Sequence, residues 1–421
     1  MDEKFSSCER YMTSDIELSA LIEHNRKGDF SISFTGAPTG TKVTYTMTCL
    51  NFELGTFLAR SSFMLPENDS NRRQYLDKAD KYFNSILILC LWHLMEPEQG
   101  KYNEEPYLSI WKWCHAHKKK TIALSVFYGW DGLDDCDPAD AHLSYIQPWV
   151  RRLNAEQLEE AMKRRLQCIL TLFDGKISNY ILMNEVLGKE SLEPGDYYSN
   201  ILGFKTLEPY FRWAQAINPN ANFYLNENSI LEGDKTPHYI QMIRLLIEAG
   251  VEVGGIGIQG HFFGKRLPPS EEMWEKLDAL SIFNLPIRIT EFGIQAIDER
   301  QYAEDLYRFY RLCFAHPAVE GITRCFYWEP EMWPRGKELQ VHYGWRQEAP
   351  LWRKNWSPTP AAEIYQHLVT DEWVTKGSGE IDAQRQLQFR GFFGTYQFDV
   401  GGSSYTVEFT HDKQSATVTL T

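Results

Sequence analysis

The chain has 421 residues and a formal net charge of −14, with 43% hydrophobic and 24% charged residues. This length and composition are typical of one large globular domain with a small appendage. The negative charge disfavours nucleic acid and anionic membranes as partners, since both bind clustered lysine and arginine.

The N-terminal segment opens without a basic region followed by an apolar core, so we expect no signal peptide in the chain as given. The first two dozen residues predict a helix or a disordered segment. Residues 29–50 alternate polar and apolar side chains around a Gly/Pro turn, which predicts a pair of strands.

From about residue 52 to 368, apolar runs alternate with amphipathic helical stretches. The runs are continuously apolar, as expected for a parallel sheet covered by helices. Eight such units predict a (β/α)8 TIM barrel, an α/β fold. The strand candidates are 52–59, 85–92, 121–128, 178–184, 222–226, 254–259, 286–291 and 321–328. No apolar run approaches the roughly 18 residues that a membrane span needs.

Residues 372–421 again alternate polar and apolar side chains and predict a β-meander. Neither end is expected to be stable alone, so we expect both ends to pair in a small β-sandwich. The predicted domains are therefore residues 1–50, which contribute strands to the sandwich, 51–368, the barrel, and 369–421, which complete the sandwich.

The eight cysteines form no C-x-x-C pair and no zinc-ligand spacing, and no metal or cofactor is predicted. Cys90, Cys168, Cys313 and Cys325 lie in apolar segments, which suits buried free thiols. This favours a cytoplasmic location, while a secreted or periplasmic one requires a signal that has been removed.

Two apolar runs end in a carboxylate: Y-I-L-M-N-E ends at Glu185, and P-I-R-I-T-E-F-G holds Glu291. A glutamate at the mouth of a buried strand must be desolvated or specially paired. Two of them in one cleft predict an acid/base and nucleophile pair for glycoside cleavage. The alternative for each is a buried salt bridge.

In a barrel the C-terminal strand ends form the active site. The predicted rim is acidic, amide-bearing and aromatic, which suits a sugar because pyranose faces stack on aromatic rings. For each tryptophan and for the histidine the alternative is core packing. The rim residues are Trp92, Glu96, Tyr128, Trp130, Asn184, Glu185, Asn226, Glu227, Gln259, His261, Glu291, Trp328, Glu329 and Trp333.

On these residues the chain resembles glycoside hydrolase family 10, the retaining endo-β-1,4-xylanases, from about Asn51 to Leu368. The resemblance is carried by M-N-E of strand 4, G-I-G-I-Q-G-H of strand 6 and I-T-E-F-G of strand 7, with looser support from W-H-L-M-E-P-E-Q-G-K-Y-N, F-Y-L-N-E-N and F-Y-W-E-P-E-M-W. It implies that Glu185 is the general acid/base and Glu291 the nucleophile. It also implies that Asn184 binds the sugar 2-OH and that His261 orients Glu291.

Strands 2 and 3 depart from that family. Leu87, Ile88 and Leu91 stand where members carry Glu, Asn and Lys, and the run from Ala123 to Tyr128 lacks both usual histidines. The predicted substrate is a xylan-like oligo- or polysaccharide, but unsubstituted xylan is not expected to be the best one. The tryptophans predicted to supply another stacking surface are Trp130, Trp328 and Trp333.

Two other functions stay open: a carbohydrate-binding barrel without turnover, and a retaining β-glucanase or exo-glycosidase. The sequence Gly255–Gly260 matches G-x-G-x-x-G, but Pro268-Pro269 soon follows and no helix begins there, so NAD binding is not predicted. The acidic loop 130–150 predicts a solvated loop and not a calcium site. The oligomeric state is left open.

Overall fold

The computed structural model describes residues 15–129, 145–188, 193–262, 266–294, 298–331 and 349–420. The chain divides into two compact units, a barrel unit of Leu54–Tyr302 and Ala318–Thr359 and a terminal unit of Met1–Glu53, Ala303–Pro317 and Pro360–Thr421. Within the described ranges, no helix is both long enough and apolar enough to cross a membrane.

The strands are named in chain order. They are β1 (Lys27–Thr35), β2 (Lys42–Leu50), β3 (Glu53–Phe57), β4 (Ser85–Leu89), β5 (Lys120–Leu124), β6 (Phe127–Tyr128), β7 (Asn179–Asn184), β8 (Asn222–Glu227), β9 (Gly255–Phe262), β10 (Ile287–Ile294), β11 (Val319–Arg324), β12 (Lys376–Glu380), β13 (Gln386–Phe392), β14 (Gly394–Val400), β15 (Ser403–Phe409) and β16 (Ser415–Thr419).

The α-helices are α1 (Asp15–Arg26), α2 (Arg60–Phe63), α3 (Ser70–Tyr82), α4 (Trp92–Met95), α5 (Glu105–Ala116), α6 (Ala155–Leu172), α7 (Tyr197–Leu202), α8 (Glu208–Ile217), α9 (Thr236–Glu248), α10 (Ser270–Ser281), α11 (Glu299–Ala315) and α12 (Pro360–His367). Short 3-10 turns cover Val150–Arg152 and Glu329–Glu331, and a π-helical turn covers Leu368–Glu372.

The barrel unit is built on a closed parallel sheet in the order β5-β4-β3-β11-β10-β9-β8-β7, and β7 pairs back to β5. The short strand β6 continues the third barrel strand and pairs with β7 through Tyr128 and Asn184. The predicted (β/α)8 TIM barrel is therefore confirmed. The predicted third strand, 121–128, is divided in two because Ser125 and Val126 interrupt it.

The continuous apolar runs form buried strands, as expected for a parallel sheet that is covered by helices. Every residue of β10 is buried. The barrel interior holds one apolar cluster, Phe57, Leu87, Ile122, Leu124, Ile181, Tyr224 and Cys325. Helix α6 begins at a capping box, in which Asn154 and Gln157 each accept the other's backbone N–H. Such caps fix where a helix begins relative to the strand that follows it.

In the terminal unit, β13-β1-β16 form a three-stranded sheet and β12-β2-β14-β15 a four-stranded sheet. Each sheet combines strands from both ends of the chain, in line with the expected pairing. Aromatic rings pack between the sheets, and the rings of Phe30 and Phe409 stack with centroids 4.4 Å apart. The unit also contains 303–317 and begins its last segment at Pro360, so its limits differ from the domain boundaries predicted at residues 50 and 369.

Candidate active site

Glu185 directly follows β7 at the mouth of the barrel. Its backbone lies in the left-handed region, with φ 54°. That conformation costs a non-glycine residue of the order of 1–2 kcal/mol, and such strain collects at functional sites. The Glu185 N–H donates to the Asn226 carbonyl at 2.9 Å, which anchors the strained residue to the neighbouring strand β8.

The Glu185 carboxyl is held by two donors. The Tyr128 hydroxyl donates to Oε2 at 2.8 Å, and Gln259 Nε2 donates to Oε1 at 2.7 Å. Burial, and secondly the charge of Glu291, raise the pKa of Glu185 from 4.5 to about 7, although both donors act in the opposite direction. A carboxyl that titrates near neutral pH is suited to give and take a proton.

Glu291 lies within β10, three strands further around the barrel from β7. Its Oε1 accepts from Asn226 Nδ2 at 2.9 Å, and its Oε2 lies 3.5 Å from His261 Nε2. The side chains of Glu291 and His261 are only 10% and 11% exposed. The carboxylate is therefore held on both oxygens, with little freedom to turn.

Asn226, fully buried on β8, connects the two carboxylates. Its Nδ2 lies 2.6 Å from Asn184 Oδ1 as well as against Glu291, and its Oδ1 accepts from Thr290 Oγ1 at 2.5 Å. A Cβ on Gly257 would lie 2.6 Å from Asn226 Oδ1, so a glycine is needed there to make room for the amide. Gly257 of G-I-G-I-Q-G thus makes room for the Asn226 side chain.

Asn184 completes the network beside Glu185. Its Oδ1 accepts from Gln259 Nε2 at 3.3 Å, and its Nδ2 donates to Glu185 Oε1 at 3.4 Å. One continuous network of amides and carboxylates thus runs across the third to seventh barrel strands. The predicted residues that the structure brings together in it are Tyr128, Asn184, Glu185, Asn226, Gln259, His261 and Glu291.

Trp92 and Trp328, the two predicted tryptophans within the described residues, do not join this network. Trp92 is 3% exposed, its indole N–H donates to Glu96 at 2.7 Å, and its ring packs on neighbouring aromatic rings. Because it offers no free face, its predicted role in sugar stacking gives way to core packing. Trp328 is buried too, with one face stacked on Trp356 at 4.4 Å. Trp130 and Trp333 lie outside the described residues.

The other acidic rim residues are engaged in the scaffold. Buried Glu227 pairs with Lys235 Nζ at 2.9 Å and accepts the Leu187 N–H at 2.9 Å. Glu96 accepts from Trp92 and from the Gly100 N–H, and Glu329 accepts from the Lys354 N–H. Glu96, Glu227 and Glu329 thus have partners within the scaffold. Glu185 and Glu291 are distinguished by their mutual repulsion, since the charge of Glu291 raises the pKa of Glu185.

The apolar positions on strands 2 and 3 belong to the barrel core. Leu87, Ile88 and Ala123 are almost completely buried, and Leu87 packs into the interior cluster. Leu91 is partly exposed. Where the family's polar side chains were expected to hold sugar, this chain therefore uses side chains that stabilise the fold.

Comparison with known proteins identifies the family and supports the fold. The family model described as Glycosyl hydrolase family 10 matches residues 143–368. Endo-1,4-beta-xylanase 2 of Arabidopsis thaliana is 29% identical over 403 residues, which cover 93% of this chain and 34% of the relative. Anti-sigma-I factor RsgI6 of Acetivibrio thermocellus is 30% identical over 380 residues, covering 88% of this chain and 44% of the relative.

Among solved structures, xylanase 10B from Thermotoga petrophila in complex with xylobiose superposes with a TM-score of 0.64 at 20% identity, covering 76% of this chain and 95% of that one. This likeness shows the fold. The chain spans between about a third and a half of the length of the two curated relatives. The family match covers more than half of the 421 residues, so the chain belongs to glycosyl hydrolase family 10.

Proposed function

We propose that the protein is a retaining glycoside hydrolase that cleaves β-glycosidic bonds in a xylan-like polysaccharide through a covalent glycosyl-enzyme on Glu291. The observation that carries the proposal is the contrast between two carboxyls in one network. The pKa of Glu185 is raised to about 7, while each carboxylate oxygen of Glu291 contacts one side chain, Asn226 or His261. Retaining cleavage needs one carboxyl as proton donor and the other as nucleophile, roughly 5–5.5 Å apart.

In the first step, a Glu291 oxygen attacks the anomeric carbon while the bond from that carbon to the leaving oxygen breaks. Glu185 gives its proton to the leaving oxygen. The pKa of about 7 keeps a large fraction of Glu185 protonated at neutral pH, as this step needs. Asn226 and His261 hold the attacking carboxylate, which reduces the entropy lost on reaching the transition state.

In the second step, Glu185 takes a proton from water, which attacks the anomeric carbon and releases Glu291. Esterification of Glu291 removes the negative charge that is the second cause of the raised pKa of Glu185. The pKa of Glu185 therefore falls in the glycosyl-enzyme, and Glu185 becomes the base that this step requires.

The proposed substrate class follows from the relatives. One curated relative is named an endo-1,4-beta-xylanase, and the superposed Thermotoga petrophila structure holds xylobiose. We propose that Asn184 meets the sugar 2-OH, because its amide lies between Glu185 and Asn226. The buried Leu87, Ile88 and Ala123 provide no polar contact for further sugars, so we do not expect unsubstituted xylan to be the best substrate.

A carbohydrate-binding barrel without turnover is the second candidate. One relative carries the name of an anti-sigma factor and not of a hydrolase, which favours a sensing role on this fold. The intact hydrogen-bond network around both carboxyls favours turnover, because binding alone does not call for a carboxyl tuned to titrate near pH 7. A retaining β-glucanase or exo-glycosidase would use the same pair on another sugar.

The test uses a panel of aryl β-glycosides and polysaccharides, with product analysis, on four proteins: wild type, Glu291→Gln, Glu185→Ala and the control Glu252→Gln, which alters an exposed residue between α9 and β9. We expect Glu291→Gln to lose turnover. We expect Glu185→Ala to retain it only with activated aryl leaving groups, and to be rescued by azide, since only the proton donor is missing.

Near-wild-type hydrolysis by Glu291→Gln would overturn the nucleophile assignment. Failure of both azide and activated substrates to rescue Glu185→Ala would overturn the acid assignment. Saturable binding of glycans by the wild type, with no product from any substrate of the panel, would favour the binding protein.

A further inference from the structure

Three potential metal ligands meet at the ends of three adjacent strands. His261 lies on β9, Glu291 on β10, and Cys325 immediately after β11. One imidazole nitrogen, the thiol sulfur and one carboxylate oxygen all lie within 4.8 Å of one another. The Cys325 N–H donates to the Phe292 carbonyl at 2.9 Å, which fixes the cysteine beside the strand that holds Glu291.

Neutral imidazole, thiolate and carboxylate are the ligands that zinc prefers, at roughly 2.0–2.3 Å from the ion. A tetrahedral ion with such bonds separates its ligand atoms by roughly 3.3–3.8 Å. His261 Nε2 and Glu291 Oε2 are already 3.5 Å apart. Because all three ligand atoms lie within 4.8 Å of one another, the sulfur has at most about 1.5 Å to move. Water can fill the fourth position.

We propose that His261, Glu291 and Cys325 form a binding site for a thiophilic divalent cation such as Zn²⁺ or Cd²⁺. Mg²⁺ and Ca²⁺ do not fit, because they take six or more oxygen ligands and avoid thiolate. The effect on catalysis rests on the proposed function: an ion on the Glu291 carboxylate occupies the lone pair that would attack the sugar. Bound ion therefore inhibits hydrolysis, and a chelator restores it.

Substitution of Cys325 distinguishes metal binding at this site from nonspecific inhibition by metals. Cys325 is fully buried in the interior cluster and is not needed for either proposed catalytic step. Cys114 on α5 is also fully buried and in no disulfide, lies outside the cluster and provides a matched control. Cys325→Ser and Cys114→Ser each replace one buried thiol, the first inside the site and the second outside it.

The experiment titrates each protein with CdCl2 and follows the thiolate-to-cadmium charge-transfer absorbance. In parallel it measures the ZnCl2 concentration that halves aryl-glycoside hydrolysis. We expect one tight cadmium ion in the wild type and in Cys114→Ser. In Cys325→Ser we expect that band to be lost and the inhibitory zinc concentration to rise by more than about tenfold, since losing even an outer-shell partner weakens a metal site about 10–100-fold.

An unchanged tight cadmium band and an unchanged zinc inhibition in Cys325→Ser would overturn the proposal. The cadmium spectrum does not depend on turnover, so a protein that binds cadmium through Cys325 but hydrolyses nothing would contradict the proposed function and not the metal site. If Cys325→Ser does not fold, His261→Ala serves as the second variant. It retains the thiol and should still lose the tight site, and cadmium affinity equal to the wild type's would overturn the proposal.

Discussion

The substitution Tyr128→Phe removes one hydroxyl beside Glu185, the proposed proton donor, and leaves the aromatic ring in place. That hydroxyl donates to Glu185 Oε2 at 2.8 Å and lowers the pKa of Glu185. Burial raises the pKa of Tyr128 itself well above 10, so it stays a donor across the working pH range. In Tyr128→Phe the charged form of Glu185 loses this support, and its pKa must rise above the wild-type value of about 7.

The size of the effect follows from the hydrogen bond. Bonds to charged groups contribute about 1.5–3 kcal/mol, and 1.36 kcal/mol corresponds to about one pH unit. Gln259 remains as a donor at 2.7 Å, and Glu185 is partly exposed to solvent, so the lower end of this range applies. We expect the basic limb of the activity profile to move upward by about 1 pH unit.

The assay is kcat/KM against pH for an aryl glycoside with a poor leaving group, which depends on protonated Glu185. The control is Tyr239→Phe, because the Tyr239 hydroxyl donates to the Gly257 carbonyl at 2.9 Å within the same barrel. The control should keep the wild-type limb. A Tyr128→Phe limb that stays in place, or moves to lower pH, would refute the role given to this hydrogen bond.

Three further results are expected. The folded-state pKa of Glu185 is about 7 against 4.5 unfolded, so its contribution to stability is complete below about pH 4.5 and is lost as pH rises through 7. The free energy of unfolding of Glu185→Gln in urea should therefore exceed that of the wild type by up to about 3 kcal/mol at pH 8 and should equal it near pH 4.5, while the exposed control Glu252→Gln shows no such trend. Thr290→Val leaves the buried Asn226 Oδ1 without its donor and should cost about 1–3 kcal/mol of stability, so an unchanged unfolding midpoint would argue against the network. Glu291→Gln should lower the pKa of Glu185 in an NMR titration, because one like charge is removed; an unmoved titration would mean that the carboxyls do not interact.

The barrel could be predicted because its strands are apolar on both faces and separated by amphipathic helices. The exception is the third strand, where the run from Ala123 to Tyr128 looks continuous. Its backbone breaks at Ser125, after which the Val126 N–H donates to the Ile181 carbonyl on β7. A continuous apolar sequence does not reveal where the backbone changes its hydrogen-bonding partner.

The site could be predicted as far as it is determined by strand ends. Asn184, Glu185, Gln259 and Glu291 come together because a closed parallel barrel places those ends on one rim. The sequence does not distinguish the two possible roles of Trp92, because a large ring after a strand suits core packing as well as sugar stacking. In the structure this ring is buried.

Two residues of the site region were not predicted from the sequence. Thr290 and Cys325 lie in apolar runs that predict buried strands, and nothing in those runs indicates a place in the site. Only the folded structure places the Thr290 hydroxyl against Asn226 and the Cys325 thiol near Glu291. In both cases the function of the side chain depends on a neighbour that is distant in sequence.

The most direct measurement of the central claim is the anomeric configuration of the first product, followed by proton NMR immediately after enzyme is added to a β-glycoside. Attack by Glu291 and then by water inverts the anomeric carbon twice. The account therefore predicts that the β-anomer appears first and that the α-anomer follows only by mutarotation. An α-anomer formed first would contradict the double displacement on Glu291.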